Sequence, residues 1–368
     1  MLKIFKTKNF KMFKDEIVFD LSKINNYEFN SEAVQHNTIS KGLIYGINGC
    51  GKSNLGLAIF DITLHLTDKQ KRISKYNHYL NLDSEEKYAS FYYKFEFEEG
   101  DVVYSYQKTD AEELKYEELI INNTIVLEYD FVNHKGFVSL PGTETLMLEN
   151  DNSMISRVKF LKSNAILKEG VQSRLFQEFI LEVDRMLLFY SLQENSYLGF
   201  TNGSGSISSG IIENNKLKEF EEFLNKVGVK LHLIVKTIDG EPLIYCKYKE
   251  GEANFFQVAS TGTRSLALFY YWYIQISKAS FVFIDEFDAF YHFELSDEIV
   301  RKLLEVTETQ IILTTHNTDL MTNALLRPDC YFELQNGKLK SFAESTNKEL
   351  RQAHNIQKMY KAGAFNEE

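Results

Sequence analysis

One run of eight residues, Gly46-Ile47-Asn48-Gly49-Cys50-Gly51-Lys52-Ser53, most constrains what this chain can fold into. It satisfies GxxxxGK[ST] and follows the apolar run Gly42 to Tyr45. From Ser53 onward Leu55, Ala58, Ile59, Ile62 and Leu66 recur at helical spacing, so strand, glycine-rich turn and helix follow in order. That context is what a phosphate-binding loop requires: glycines let backbone N–H groups wrap a triphosphate, and the helix N-terminus adds a favourable dipole. Gly46, Asn48, Gly49, Gly51, Lys52, Ser53 and Asn54 are the candidate cradle for ATP. Lys52 reaches the β and γ phosphates, and the Ser53 hydroxyl ligates Mg2+.

The remainder of the chain divides by pattern. Leu2 to Phe10 and Ile17 to Leu21 read as short strands. Residues 88 to 130 alternate as antiparallel strands do, with Glu99-Gly100-Asp101 as a hairpin turn. Residues 153 to 193 read as helical, with Leu175, Phe176, Phe179, Ile180, Val183, Met186 and Leu187 on one side. NGSGSISSG, from Asn202 to Gly210, is the one low-complexity stretch and reads as a surface loop. An amphipathic helix from Leu217 ends at Gly228, and strands follow near 229–238, 242–249 and 254–258.

In the last third helix and strand alternate: Thr263 to Ser277 helix, Phe281 to Ile284 strand, Leu295 to Val306 helix, Gln310 to Thr314 strand. That alternation indicates a parallel sheet flanked by helices. The expected class is α/β, a P-loop core with a mixed or parallel sheet, an antiparallel β lobe and a helical insertion. The expected division is residues 1–66 and 255–345 for the core, 67–152 for the β lobe, 153–254 for the insertion and 346–368 for a C-terminal helix.

Two further strand ends carry chemistry. The apolar run from Phe281 to Ile284 stops at Asp285-Glu286, and a buried strand that presents a carboxylate beside a phosphate loop is how such sheets hold magnesium. Asp285 is the candidate metal-side acid, and Glu286 is placed to polarise the attacking water. The strand from Gln310 ends in Thr314-Thr315-His316-Asn317, which puts His316 at the same sheet edge as a candidate catalytic residue, with Glu286 and Lys52. Ahead of them, Ala259-Ser260-Thr261-Gly262-Thr263 opens an apolar helix, with Ser260 or Thr261 as its cap.

Composition limits the partners. With 41 Lys plus Arg against 52 Asp plus Glu, the formal charge of −11 argues against non-specific coating of nucleic acid, which rests on Lys and Arg. The basic cluster Lys3, Lys6, Lys8, Lys11 and Lys14 reads either as the solvated face of a β-hairpin or as a small footprint for nucleic acid or a partner, with Lys11 a candidate for reaching the nucleotide. Three scattered cysteines form neither a disulfide framework nor a zinc site, and Cys50 reads as a small residue that fits its loop. The lysine-rich start lacks the apolar region of a signal peptide, and Leu266 to Ile276 is too short to span a bilayer, so a soluble cytoplasmic protein is expected.

In this order the four elements resemble the ABC-type ATPase heads of the SMC, RecF and OLD group. ASTGTRSLAL is similar to the SMC signature LSGGEKSLTAL, FIDEFDAFYH to FIDEVDAALD, TTHN to the switch histidine, and NFKMFKDE to the FKSF segment. His292 departs from the SMC pattern and resembles the DExDxxLH pattern of OLD-like and stand-alone AAA-annotated ATPases of bacterial defence. Thr261 and Thr263 replace a signature glycine and the acid or amide after the second glycine. The tail from Leu326 resembles the C-termini of AbiL and RloA-like abortive-infection ATPases. The resemblance covers residues 1–66 and 255–335 well, and leaves the Q-loop glutamine open among Gln107, Gln172 and Gln177.

The resemblance implies that Ser260, Gly262 and the helix N-terminus after them contact the γ phosphate of a second copy. It therefore implies a homodimer or higher homo-oligomer. It also implies slow ATP hydrolysis in a conformational switch or sensor that controls a separately encoded effector in antiphage (abortive-infection) defence, with a RecF-like DNA clamp as the alternative. A transporter subunit fits poorly, given the nearly two hundred residues between Ser53 and Ser260. A non-hydrolysing scaffold fits poorly with intact Asp285, Glu286 and His316.

Overall fold

A computed structural model describes residues 1–69, 73–146, 155–190, 196–199, 207–289 and 293–365. In chain order the elements begin with β1 (Leu2–Lys8), β2 (Ile17–Asp20), the two-residue pair β3 (Val34–Gln35) and β4 (Thr38–Ile39), β5 (Lys41–Tyr45) and α1 (Lys52–Leu66). Next come β6 (Ala89–Phe97), β7 (Gly100–Lys108), β8 (Leu114–Ile121), β9 (Thr124–Asp130) and β10 (Lys135–Val138). They are followed by α2 (Arg157–Asn164), α3 (Val171–Asp184), β11 (Leu187–Tyr190), β12 (Ser196–Gly199), α4 (Ile207–Glu213) and α5 (Leu217–Lys226). After β13 (Leu233–Ile238), β14 (Glu241–Lys247), β15 (Glu252–Asn254), α6 (Phe255–Val258) and α7 (Thr261–Tyr273), the chain enters β16 (Phe281–Asp285) and α8 (Phe293–Leu304). It closes with β17 (Gln310–Thr314), β18 (Tyr331–Gln335), β19 (Lys338–Ser341) and α9 (Ile356–Lys361).

Two seven-stranded sheets organise the molecule. The first runs β10-β9-β8-β7-β6-β1-β2 and is antiparallel throughout, so the N-terminal strands sit in the same sheet as residues 89–138. Phe91, Tyr93 and Phe95 on β6 and Val102, Tyr104 and Tyr106 on β7 alternate onto its buried face. The hairpin between these strands turns at Glu98-Glu99, and Gly100 already pairs with Phe97.

The second sheet runs β12-β11-β16-β17-β5-β18-β19, with β11, β16, β17, β5 and β18 parallel and the two edge strands antiparallel. Every residue of β5, β16 and β17 is buried, which is why these strands read as continuous apolar runs. Ile44 pairs with Thr314 and Ile284 with Leu313, so β5, β16 and β17 end together at one carboxyl edge. The expected α/β class, with its antiparallel lobe and helical insertion, is the fold observed.

Three local expectations change. Leu187–Tyr190 is a strand beside β16, although the helical pattern ran through it; four apolar residues after a helix fit either periodicity, and burial in the sheet decides. Ile207–Gly210, the end of the low-complexity stretch, opens α4. Its small residues allow close packing, since a Cβ on Gly210 would lie 2.0 Å from the Tyr271 ring. Residues 202–206 lie outside the described residues. Phe255–Val258 forms a helical turn capped by the Asn254 side chain on the Phe256 N–H, rather than a strand.

α1 lies between the two sheets, and all its residues except Ser53 and Asn54 are buried. Its one buried acid, Asp61, accepts from Tyr79 Oη (2.8 Å), Tyr106 Oη (2.9 Å) and Lys108 Nζ (2.7 Å). Tyr93 and Tyr76 donate to the α1 carbonyls of Ala58 and Leu57 at 2.9 and 3.1 Å. A buried charge tolerates removal from water only with such complete pairing. No described helix is long and apolar enough to cross a membrane.

Candidate nucleotide-binding site

The loop after β5 turns sharply into α1. Gly49 and Gly51 have φ of +77° and +112°, which glycine adopts without a Cβ penalty. At Gly51 there is also no room, because a Cβ would meet Met12 Sδ at 2.5 Å. The turn of residues 10–13 therefore seats directly on the phosphate loop. Ile47, Asn48 and Gly49 are exposed at its tip, and the first-turn Ser53 is exposed as well.

Lys52 is buried, and its ammonium donates to the Gly46 carbonyl at 2.8 Å and the Ile47 carbonyl at 3.3 Å. These are neutral acceptors of its own loop, and a phosphate oxygen, being charged, is the stronger acceptor for the same donor. Cys50 Sγ stands 3.9 Å from Lys52 Nζ. Asn54 is half-buried one residue beyond Ser53.

Ser53 Oγ donates to Asp285 Oδ2 at 2.6 Å. The other oxygen of Asp285 accepts from Thr314 Oγ1 at 2.8 Å, and Asp285 is 7% exposed. Glu286 follows in the left-handed region, φ +46°, and its carboxylate Oε1 stands 3.6 Å from His316 Nε2. The structure thus brings Lys52, Ser53, Asp285, Glu286 and His316 to one sheet edge from three separate strands.

Among the described residues no group of three or more His, Cys, Asp or Glu could hold a metal ion by itself. Ser53 and Asp285 are hard oxygen donors already in contact, a pair that fits magnesium completed by phosphate and water oxygens. Bound there, such an ion would draw electron density from the phosphates.

Ser260 caps α7, accepting from the Thr263 N–H at 3.2 Å and meeting Thr263 Oγ1 at 2.9 Å. Ser260 and Thr261 are exposed and Gly262 is half-buried. These hydrogen bonds are local to the helix start, so the motif presents its cap outward. His292 lies outside the described residues.

Gln107 sits in β7 opposite Tyr116, and Gln172 and Gln177 lie on α3, so none of the three follows a strand of the parallel sheet. β11 does run in that sheet, and its Tyr190 pairs with Asp285.

Sequence reasoning also missed Thr314, Thr315 and Asp288. Thr315 Oγ1 donates to Asp288 Oδ2 at 2.6 Å. Burial lifts the Asp288 carboxyl above its ordinary range, against the pull of that hydroxyl. A polar doublet closing an otherwise apolar strand was the available sign.

Two of the five lysines of the cluster pair with acids of the same sheet and loops, and two more meet a ring or a carbonyl. Lys3 pairs with Glu96 at 2.5 Å, Lys8 is ion-paired with Glu86, and Lys6 lies over the Tyr92 ring at 5.3 Å. Lys11 donates to the Asn77 carbonyl at 2.8 Å, and burial lowers its pKa. Lys14 is exposed.

A phosphate loop, two successive acids and a histidine on one parallel-sheet edge define the class, a P-loop nucleotide-binding ATPase head. Over residues 43–322 the chain matches, and belongs to, the family described as "AAA domain, putative AbiEii toxin, Type IV TA system". No protein of curated function is similar to the chain in sequence.

Similar solved structures include the SMC head domain from Thermotoga maritima, at 14% identity and TM-score 0.45, over 92% of this chain and 97% of that one. An Smc head bound to the C-winged helix domain of ScpA shares 16% identity, with TM-score 0.45 over 92% and 97% of the two chains. The Smc head with an extended coiled coil bound to the C-terminal domain of ScpA, from Pyrococcus furiosus, shares 15%, with TM-score 0.45 over 92% and 95%.

Proposed function

We propose that this chain binds ATP with magnesium, hydrolyses it slowly, and uses the nucleotide state to close and open a homodimer that controls a separately encoded effector in antiphage defence. The observation that carries the reading is the contact of Ser53 with Asp285 beside the Glu286–His316 pair. In hydrolysis a water oxygen bonds the γ phosphorus while the bond to the β–γ bridging oxygen breaks. Glu286 takes the water's proton, Lys52 and His316 face the charge on the phosphate, and ADP and phosphate leave.

Dimer closure is supported by the single phosphate loop and single signature of the chain, and by the outward cap at Ser260. Two copies would complete two sites, each taking Ser260 and Gly262 from the other. The defence role is supported by the family description, which names a toxin of a type IV toxin–antitoxin system, and by the resemblance of the tail. A DNA clamp has less support, since Lys3, Lys6, Lys8 and Lys11 already have partners.

The test is light scattering of the Glu286→Gln variant with ATP or ADP, beside phosphate release by the wild type. A mass that doubles or more with ATP alone supports the switch. A mass indifferent to nucleotide rules out nucleotide-driven closure.

A further inference from the structure

We infer that Thr314 is a positioning residue for hydrolysis, holding both acids of the Asp285-Glu286 pair through one hydroxyl. This rests on the hydrolysis reading above and deepens it.

The hydroxyl has one proton, and that proton goes to Asp285 Oδ1 at 2.8 Å. Its lone pair takes the Glu286 N–H at 2.7 Å. With Ser53 on Oδ2 at 2.6 Å, Asp285 is gripped on both oxygens, from β17 on one side and α1 on the other. The Glu286 contact matters more. A glutamate at φ +46° is uncommon, and a non-glycine residue held there persists only where its surroundings over-determine it.

Thr314 supplies two of those restraints, its hydroxyl on the Glu286 N–H and its carbonyl, which accepts from the Phe287 N–H at 3.2 Å. It is fully buried, so no water can substitute for the hydroxyl. His316, 3.6 Å from Glu286, is carried two residues further on the same chain segment. The threonine therefore locks the relative placement of the water-polarising acid and the histidine.

Thr315 repeats the device one residue on. Its hydroxyl donates to Asp288 Oδ2 at 2.6 Å and accepts from the Asn317 N–H at 2.8 Å, while its own N–H donates to the Ile44 carbonyl of β5 at 3.1 Å. The turn after β16 is thus pinned at both ends to the segment that bears His316, and that segment to the strand that bears the phosphate loop.

Removing the Thr314 hydroxyl frees the Glu286 backbone but leaves Lys52 and the loop glycines untouched, so turnover falls while binding of the nucleotide itself, measured without magnesium, holds. The experiment measures steady-state phosphate release and binding of a fluorescent ATP analogue for full-length wild type, Thr314→Val, Thr314→Ser and Glu286→Gln, with thermal melts of each. Thr314→Val is expected to lower kcat about 100-fold, as misplacement of a reacting group by about 1 Å does, with analogue affinity in EDTA within about threefold. Thr314→Ser, which keeps the hydroxyl, is expected to recover most of the rate.

A Thr314→Val enzyme as fast as wild type, or a serine variant as slow as the valine one, overturns the inference. So does a loss confined to KM. Thr314→Ala carries the same test if the valine variant does not fold. Wild type no faster than Glu286→Gln overturns the hydrolysis reading and this inference with it; an active wild type matched by Thr314→Val overturns the inference alone.

Discussion

Ser53 and Asp285, 232 positions apart in the chain, share a hydrogen bond of 2.6 Å at the carboxyl edge of the parallel sheet. The hydroxyl comes from the first turn of α1 and the acid from the last residue of β16, so their contact joins the phosphate loop to the strand that leads into Glu286. On the proposed function this pair of hard oxygen donors would hold magnesium, and nucleotide affinity is then expected to depend on the ion. Asp285→Asn is expected to weaken magnesium-dependent ATP binding about 10–100-fold, at least the cost of losing a group that supports a metal site. Titration of a fluorescent ATP analogue with and without EDTA checks this. Equal affinity in both conditions for the wild type contradicts the assignment.

The proposed completion of each site by Ser260 and Gly262 of the other copy predicts complementation between copies. Lys52→Ala and Gly262→Arg are each expected to abolish phosphate release as homodimers. Mixed, they rebuild one intact site per mixed dimer, and random pairing of a two-fold dimer gives about a quarter of wild-type activity. A mixture as inactive as its components argues for signature contact within one chain.

The Asp61–Lys108 pair, fully buried at 2.7 Å, is expected to be intolerant of halving. Lys108→Met leaves Asp61 charged and buried with two tyrosine hydroxyls for company. Breaking a buried pair in this way costs about 3–5 kcal/mol. Urea unfolding followed by circular dichroism measures it, and a loss below about 1 kcal/mol contradicts the burial argument.

Lys41, the first residue of β5, is 3% exposed and donates to the Thr309 carbonyl at 2.8 Å. Burial pulls its pKa down to about 8, against the attraction of Glu308. The unfolded value is about 10.4, so between the two the unfolded chain binds more protons and this site's contribution to stability rises with pH. That contribution is complete above the unfolded value and is lost as pH falls towards 8. The unfolding free energy of wild type relative to Lys41→Met is expected to grow by about 1 kcal/mol from pH 8 to pH 9, at 1.36 kcal/mol per unit as the ceiling. A difference that does not change with pH refutes it.

The three strand ends were legible because each announces itself chemically. The glycines before Lys52 end a buried apolar run with a turn, while the acids closing Phe281–Ile284 and the histidine after Gln310–Thr314 end theirs with groups that cannot stay buried unpaired. Less legible was anything decided by which sheet accepts a segment. Leu187–Tyr190 fits a helix by spacing and a strand by burial, and only its place beside β16 settles it.

Thr314 and Thr315 illustrate a different limit. A threonine at a strand end is ordinary, and nothing in its spacing says that its hydroxyl meets an acid 29 positions away. Likewise Gly210 looked like loop composition, whereas the Tyr271 ring is what excludes a side chain there.

α1 is anchored to the antiparallel sheet through Ala58, bonded by Tyr93 of β6, and Asp61, bonded by Tyr106 and Lys108 of β7. In mechanical terms the helix and that sheet are a single stiff arm, with the phosphate loop at one end and the Glu98–Glu99 hairpin tip on its β6–β7 face. A helix fastened this way has little room to tilt against that sheet, and Ser53 ties its other end to Asp285 of β16. A displacement imposed on Lys52 by a phosphate would therefore be shared between the two sheets rather than absorbed by the helix alone.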